Sequence, residues 1–422
     1  MAAQHYIKDV HNVRGLISVI FSTLFLIGFS QAVSAQNPSP PELEVSVSST
    51  SVSLSWPESS NTTGYKLIYS DYPSASTVEF MDFGSATSIA ADLPVGSSYY
   101  VGVQAYNEVG VSLFSNIDYF TTTEKNADAE ACSIDNLNPL YAWPLAGENG
   151  RDWVISNYID QMPGLGISDY ASEPGASGKA YDGHRGIDIS IPSFREMDAG
   201  VNVYAIQGGL VTSVVDHFPD RATSCESLDW NVVVVRQTDG NTVYYGHLRT
   251  DSAVVQNGQN INKGDLLGQI GSSGCSTEPH LHLELVHPVT DVVDPFLNNL
   301  WCDAPPYEPA VSVFAGFLLE APANRYPEAL KDPPPDIRSF PVGSRILPIS
   351  HSANGSVGDS VGVRLLRPDW SERVSAEITF SEAHRHAYWT WNVGTVDEPG
   401  IWLLQYLANG IPQRMLQFEV TQ

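Results

Sequence analysis

Positive charge is scarce in this chain of 422 residues, which has 21 lysines and arginines against 48 aspartates and glutamates. The resulting formal net charge of −27 at pH 7 repels polyphosphate over the whole surface and argues against nucleic acid as a partner. Such an acidic balance keeps a protein soluble, particularly where salt screens its self-repulsion. The charge therefore says little about a substrate.

Long apolar stretches are also rare, and the clearest lies near the N-terminus, from Leu16 to Phe29, after two basic residues. Its roughly 14 residues, at ~1.5 Å rise each, cover about 21 Å of a ~30 Å hydrocarbon core. Small residues follow, ending at Ala35. We predict that residues 1–35 are a secretory signal peptide cleaved near Ala35, with an uncleaved anchor as the alternative. The mature protein is then expected to be extracellular or periplasmic, without a transmembrane span.

Cysteine is limited to Cys132, Cys225, Cys275 and Cys302, all downstream of the predicted signal. An even number suits an oxidising compartment, and four cysteines allow three pairings. We favour Cys132 with Cys302 and Cys225 with Cys275, because the outer pair would clamp the segment that contains the motifs described below. Four reduced thiols are the alternative. Zinc binding by cysteine is disfavoured, since none are paired at the spacing of structural zinc sites.

Residues 42–123 alternate between apolar and polar positions with turn residues between them, which predicts an antiparallel β-sandwich. The stretch from Leu93 to Asn107 resembles the second half of a fibronectin type III domain. This resemblance implies a tyrosine corner formed by Leu93 and Tyr99, and a core tryptophan at Trp56. It also implies an accessory binding or spacer role without chemistry.

The rest of the chain predicts a polar linker and two further β-rich domains. Residues 124–139 lack periodicity and form the linker, and residues 140–302 combine short β-rich runs with many glycines. Residues 303–422 begin with a proline-rich lead-in and end in a pattern typical of an immunoglobulin-like sandwich. The predicted strands of the middle domain are Val201–Ala205, Leu210–Val215, Asn231–Val235 and Thr242–Tyr245.

Two short motifs in the middle domain carry metal-binding chemistry. A catalytic zinc needs three nitrogen or oxygen ligands and an open position. His184 and Asp188 lie in a glycine-containing turn that can present both groups to one ion. In His280-Leu281-His282, strand alternation points both imidazoles to one face, so that one can bind metal while the other faces a substrate. Together the motifs supply two imidazoles and a carboxylate.

The remaining histidines have simpler interpretations. His217, His287 and His351 are predicted to be loop or surface residues. His384 and His386 form a second H-x-H pair, but no matching carboxylate motif accompanies them, so a strand face is predicted.

The order of motifs in this segment strongly resembles the M23 family of zinc metallopeptidases, of the LytM and lysostaphin type. The resemblance spans about residues 180–297 and is highly specific. Its parts are the H-x-x-x-D motif His184–Asp188, the aliphatic strand and turn Val203–Val215, the Y-x-H-L motif Tyr245–Leu248, the glycine-containing segment Lys263–Gly271 and the H-x-H motif His280–His282.

The resemblance implies a role for each of five side chains. His184, Asp188 and His282 would bind one zinc ion. His280 would accept the proton of the attacking water, and His247 would donate a hydrogen bond to the oxyanion. Two positions depart from the family pattern, because Glu278 and Leu283 stand where glycine and phenylalanine are usual. Glu278 adds bulk and negative charge where the family has a bare backbone, so we expect the shape of the substrate site and the preferred substrate to differ, while the metal ligands are unaffected.

The sequence thus predicts a mainly β, secreted zinc metalloendopeptidase that hydrolyses peptide bonds in peptidoglycan cross-links or stems. One alternative is a secreted protease of extracellular proteins. Another is a non-catalytic regulator of cell-wall amidases, although the presence of all five side chains argues against it. The flanking domains are candidates for binding cell wall or polysaccharide.

Overall fold

The computed structural model describes residues 36–75, 78–122, 140–172, 179–307, 309–320 and 331–422. The predicted signal peptide and Cys132 lie outside these ranges, so the signal and the Cys132–Cys302 disulfide stay predictions. Within the described ranges, no helix is long and apolar enough to cross a membrane. The chain divides into two compact units, Met1–Lys125 and Asn126–Gln422.

The first unit contains a β-sandwich, here called the N-terminal sandwich. One sheet has the strand order β1-β2-β5, and the other has the order β4-β3-β6-β7 with β8 also paired to β6. Trp56 is buried between the sheets with its ring edge-on to Tyr65, and Leu93 and Tyr99 pack against the same core. The strands are β1 Glu44–Ser48, β2 Ser51–Ser55, β3 Gly64–Asp71, β4 Glu79–Gly84, β5 Ser88–Asp92, β6 Ser98–Tyr106, β7 Val111–Phe114 and β8 Asp118–Thr121.

The second unit begins with a domain built on one large antiparallel sheet, here called the central domain. The sheet order is β15-β12-β13-β14-β17-β10-β9, with β18 paired to β17, and β11 and β16 form a separate ribbon. Its elements are β9 Val154–Asn157, β10 Ile187–Ser190, α1 Phe194–Ala199, β11 Asn202–Tyr204, β12 Gly209–Val215, β13 Val232–Gln237, β14 Thr242–Gly246, β15 Asn260–Ile261, β16 Leu266–Gln269, β17 His280–His287 and β18 Asp291–Val292. The four strands predicted in this segment are confirmed.

Strand β17 shows most directly how sequence alternation positions the site. Leu281, Leu283 and Leu285 are fully buried in the core on one face of the sheet. The intervening His280 and His282 therefore point to the opposite face. A one-residue slip would bury the two imidazoles in the core, so the apolar residues determine which face carries the histidines.

The second unit ends in another β-sandwich, here called the C-terminal sandwich. Its sheets have the orders β19-β21-β24 and β20-β26-β25-β22-β23, and both contribute side chains to one core around Trp402. Its strands are β19 Ser312–Glu320, β20 Ser339–Pro341, β21 Ile346–Gly355, β22 Ser360–Leu366, β23 Glu372–Thr379, β24 His384–Thr390, β25 Gly400–Ala408 and β26 Ile411–Thr421. The mainly β fold predicted from the sequence is confirmed.

The C-terminal sandwich packs directly on the central domain. Phe314 and Ala353 of the sandwich are buried together with Val154 of β9. His351 is fully buried, and its Nδ1 donates a hydrogen bond of 2.8 Å to the carbonyl of Pro192. The prediction that His351 is a loop or surface residue is therefore wrong, because it lies in strand β21 beneath this contact. His384 and His386 lie in strand β24, as predicted.

Candidate metal centre

Strand pairing brings the candidate ligands together from three parts of the chain. Strand β10 pairs with β17 so that Asp188 lies opposite His282, and β14 pairs with β17 so that Gly246 lies opposite the same histidine. His247 follows Gly246 directly and ends beside the site. His184 enters from the turn before β10, where Gly183 adopts a positive φ of 77°.

The ligand atoms of His184, Asp188 and His282 form a small triangle. His282 Nδ1 lies 2.9 Å from Asp188 Oδ1, His184 Nε2 lies 3.1 Å from the same oxygen, and the two nitrogens are 3.3 Å apart. Ligands in a tetrahedral zinc site with bonds of ~2.0–2.1 Å are separated by about 3.3 Å. All three residues are buried and their ligand atoms converge. The donor set and its spacing therefore fit a zinc ion.

The outer nitrogens of both histidines have partners that orient the rings. His184 Nδ1 donates to the carbonyl of Tyr158 at 2.7 Å, which leaves Nε2 facing Asp188. His282 Nε2 lies 3.6 Å from a carboxylate oxygen of Glu284, which leaves Nδ1 facing Asp188. Carboxylate and carbonyl partners of this kind fix the tautomer of a metal-binding imidazole.

Electrostatics favour a cation at the centre of this triangle. Burial alone would raise the pKa of Asp188. The electrostatic attraction of His280 and His184 is stronger and holds the pKa of Asp188 well below its usual range. Burial lowers the pKa of His282, but hydrogen bonds with Asp188 and Glu284 outweigh it and raise the pKa to about 9. Without metal, His282 therefore keeps a proton at neutral pH, and a bound metal ion would replace that proton.

His247 and His280 lie side by side next to the triangle, with ring centroids 4.5 Å apart. His247 Nδ1 donates to the carbonyl of Ser273 at 2.6 Å, and His280 Nδ1 donates to the carbonyl of Glu278 at 2.8 Å. Because a carbonyl can only accept, each neutral ring carries its lone pair at Nε2. His280 Nε2 lies 3.6 Å from Asp188 Oδ1, so this nitrogen faces the centre.

His247 has an uncommon backbone conformation and a buried imidazole. Its φ of +58° falls in the left-handed region, which is uncommon for non-glycine residues. Burial lowers its pKa to about 3, helped by the neighbouring His280 and His282. The imidazole of the metal-free protein is therefore neutral at physiological pH.

Four side chains around the centre were not recognised from the sequence. Trp230 packs edge-on to His247, with ring centroids 5.0 Å apart, and Tyr181 stacks on His184 at 4.3 Å. Asn157 Nδ2 donates to Asp188 Oδ2 at 3.0 Å, and the carboxylate of Glu284 faces His282. Among these, only Glu284 carried a local signal, since strand alternation places it on the face of the H-x-H pair.

The predicted disulfide between Cys225 and Cys275 is confirmed. Cys275 lies two residues after Ser273, whose carbonyl orients His247. The disulfide thus ties down the loop that positions this histidine.

Comparison with known proteins agrees with this architecture. Residues 182–295 match the model of Peptidase family M23, and residues 37–121 match that of the Fibronectin type III domain. The resemblance recognised in the sequence, an M23-type domain preceded by a fibronectin type III domain, is therefore confirmed.

Individual relatives match about a quarter of the chain. The DD-carboxypeptidase/endopeptidase Mpg of Neisseria meningitidis is 35% identical over 101 residues, which are 24% of this chain and 19% of that protein. The peptidoglycan DD-endopeptidase ShyA of Vibrio cholerae is 30% identical over 103 residues, 24% of this chain and 20% of that protein. The chain thus spans about a fifth of the length of these relatives. Among solved structures, the catalytic domain of the prophage-encoded M23 protein EnpA from Enterococcus faecalis is 26% identical, covering 35% of this chain and 93% of that domain with a TM-score of 0.25.

Gly186 leaves room for the ring of His282, so Gly186→Ala is expected to weaken zinc binding. An added Cβ would lie 2.5 Å from His282 Cε1 and 2.9 Å from the carbonyl oxygen of Leu283. Zinc affinity is measured by competition with a chromogenic chelator. In the control Gly268→Ala the nearest atom lies 3.2 Å away, and affinity should be preserved. Equal zinc affinity in the two variants would contradict this role of Gly186.

Glu284→Gln removes the carboxylate that faces the outer nitrogen of His282. Loss of such a partner typically costs roughly 10-fold to 100-fold in metal affinity, and we expect a loss in that range. The control is Asp291→Asn. Asp291 is exposed and pairs with Arg185, which also pairs with Glu284, so this variant removes a charge from the same network. Isothermal titration with zinc measures both variants. A similar loss in Asp291→Asn would show that the charge of the surface network, rather than the contact to His282, is responsible.

Proposed function

We propose that this protein is a secreted zinc metalloendopeptidase that hydrolyses peptide bonds in peptidoglycan. The observation that carries the proposal is the triangle of His184, Asp188 and His282 ligand atoms with two further imidazoles beside it. Two imidazoles and one carboxylate are a ligand set of catalytic zinc sites, which keep a position open for water or substrate. His184, Asp188 and His282 would hold the ion.

A bound zinc ion would supply Lewis acidity, which polarises a carbonyl and lowers the pKa of a water ligand to about 7. His280 is the candidate general base, because its Nε2 lone pair faces the centre. The main-chain carbonyl of Glu278 keeps the proton of the neutral ring on Nδ1. Attack by the water transfers its proton to this nitrogen, and the imidazolium of His280 can then protonate the leaving amine.

His247 is the candidate that stabilises the oxyanion. Its carbonyl partner, Ser273, keeps a proton on Nδ1, so a hydrogen bond to the oxyanion requires a second proton on Nε2. The developing negative charge favours this imidazolium, which burial disfavours in the free protein. The proposed role therefore couples uptake of a proton from solvent at His247 Nε2 to formation of the tetrahedral state.

The peptidoglycan substrate is supported by the relatives. The matched proteins include a peptidoglycan DD-endopeptidase and a DD-carboxypeptidase/endopeptidase. The segment that matches the M23 family model contains all five proposed site residues. The disulfide Cys225–Cys275 suits an oxidising compartment, which agrees with export by the predicted signal peptide.

Two substitutions separate metal binding from catalysis. His282→Ala is expected to lose zinc and activity together, because a ligand is removed. His247→Ala should retain zinc and lose rate by roughly 100-fold to 1000-fold, the usual cost of removing an oxyanion donor. Zinc content by elemental analysis and hydrolysis rate are measured on the same preparations. Equal zinc loss in both variants would show that these roles are assigned wrongly.

The substrate is tested by digestion of defined muropeptides, with mass spectrometry of the products and with chelator as the control. We expect chelator-sensitive cleavage of a cross-linked or stem peptide. Cleavage of elastin in place of muropeptides would favour a protease of extracellular proteins. A folded protein without zinc or hydrolysis would favour the regulator of cell-wall amidases.

A further inference from the structure

The C-terminal sandwich reaches the candidate catalytic centre through the side chain of Glu278. The hydroxyl of Tyr388 donates a hydrogen bond to Glu278 Oε2, and His386 Nδ1 lies 3.4 Å from Oε1. Ser190 of strand β10 adds its hydroxyl at 3.4 Å from Oε1. The carboxylate is largely buried, with 17% of the side chain exposed, and both residues from strand β24 face it. Glu278 is therefore held by the sandwich although it belongs to the central domain.

Glu278 also contacts His280 through its main chain. Its carbonyl accepts hydrogen bonds from His280 Nδ1 at 2.8 Å and from the Ser276 hydroxyl at 2.9 Å. Pro279 follows directly, and a residue before proline is restricted to extended backbone conformations. Once the side chain of Glu278 is fixed, few directions remain for its carbonyl. The orientation of the His280 ring therefore depends on the anchoring of Glu278.

The same strand supports a ligand of the centre by a second route. Arg385 Nη1 donates to Asn157 Oδ1 at 3.0 Å, and Asn157 Nδ2 donates to Asp188 Oδ2 at 3.0 Å. Because arginine can only donate, this contact turns the amide so that its NH2 group faces the carboxylate. Asp188 Oδ1, which faces the two histidines, stays available for metal.

We propose that strand β24 of the C-terminal sandwich is part of the catalytic apparatus, in which Tyr388 and His386 position His280 through Glu278 and Arg385 positions Asp188 through Asn157. The proposal rests on the proposed peptidase function. It assigns the sandwich a role in orienting reacting groups, in addition to any binding of cell wall. Tyr388, His386 and Arg385 are positioning residues, because they act through Glu278 and Asn157.

The first test compares Tyr388→Phe with Tyr406→Phe, since each removes one hydrogen-bonded hydroxyl from the same sandwich. The hydroxyl of Tyr406 donates to the carbonyl of Phe317, within the sandwich. We expect Tyr388→Phe to lower kcat by roughly 10-fold to 100-fold, as misplacement of a catalytic group does, with KM and zinc content unchanged. Tyr406→Phe should preserve kcat. Unchanged kcat in Tyr388→Phe, or the same loss in both variants, would overturn the proposal for His280.

A second readout of the Tyr388 contact does not depend on hydrolysis. In zinc-loaded protein with 15N-labelled histidine, the Nδ1 proton of His280 is expected to be protected from exchange by the Glu278 carbonyl. It is assigned by its loss in His280→Gln. Tyr388→Phe should speed its exchange, whereas Tyr406→Phe should not. Equal protection of the His280 Nδ1 proton in both variants would contradict the proposal. Because this readout needs no hydrolysis, failure of the positioning role can be told apart from failure of the proposed peptidase function.

The Arg385 contact is tested by zinc affinity. Arg385→Met keeps the apolar stem and removes the donors, and it is expected to raise the zinc dissociation constant by roughly 10-fold, as loss of outer partners does. Arg345→Met is the control, because Arg345 also donates to an asparagine amide, that of Asn392 at 3.2 Å, within the sandwich. Tyr388→Phe should keep the affinity of the unmodified protein. Equal affinities in Arg385→Met and Arg345→Met would overturn this part of the proposal.

Discussion

The pairing of strand β17 with its two neighbours is the constraint on which the candidate centre depends. β10 on one side sets Asp188 opposite His282, and β14 on the other sets Gly246, and hence His247, beside the same residue. The register is enforced by the leucines on the opposite face of β17, since a slip would expose them. Backbone hydrogen bonds and apolar burial thus assemble polar groups that come from distant parts of the chain.

Close packing then determines how precisely these groups are held. Gly186 admits the ring of His282, and Gly246 admits Trp230, because a Cβ at either position would overlap the neighbouring ring. Carbonyl groups of Tyr158, Ser273 and Glu278 each accept a hydrogen bond from one imidazole and so turn the other nitrogen toward the centre. Because the ligands are already oriented in this way, little of the free energy of metal binding is lost in ordering their side chains.

Much of this arrangement could be predicted from the sequence, because it depends on local patterns. Strand alternation in β17 indicated that His280 and His282 share a face, and the motif order indicated an M23-type domain. Asn157 and Tyr388 could not be found in this way, since they reach the centre only after separate segments pack together. The burial of His351 was missed for the same reason, because nothing in the local pattern of β21 indicates which strand face another domain covers.

We propose that His184, Asp188 and His282 form a mononuclear zinc site with an open position. X-ray absorption spectroscopy at the zinc edge of the purified full-length protein tests it most directly. We expect four nitrogen or oxygen neighbours at about 2.0–2.1 Å, with outer scattering that fits two imidazoles. Sulfur at about 2.3 Å, a count of imidazoles other than two, or protein that retains no zinc would contradict it.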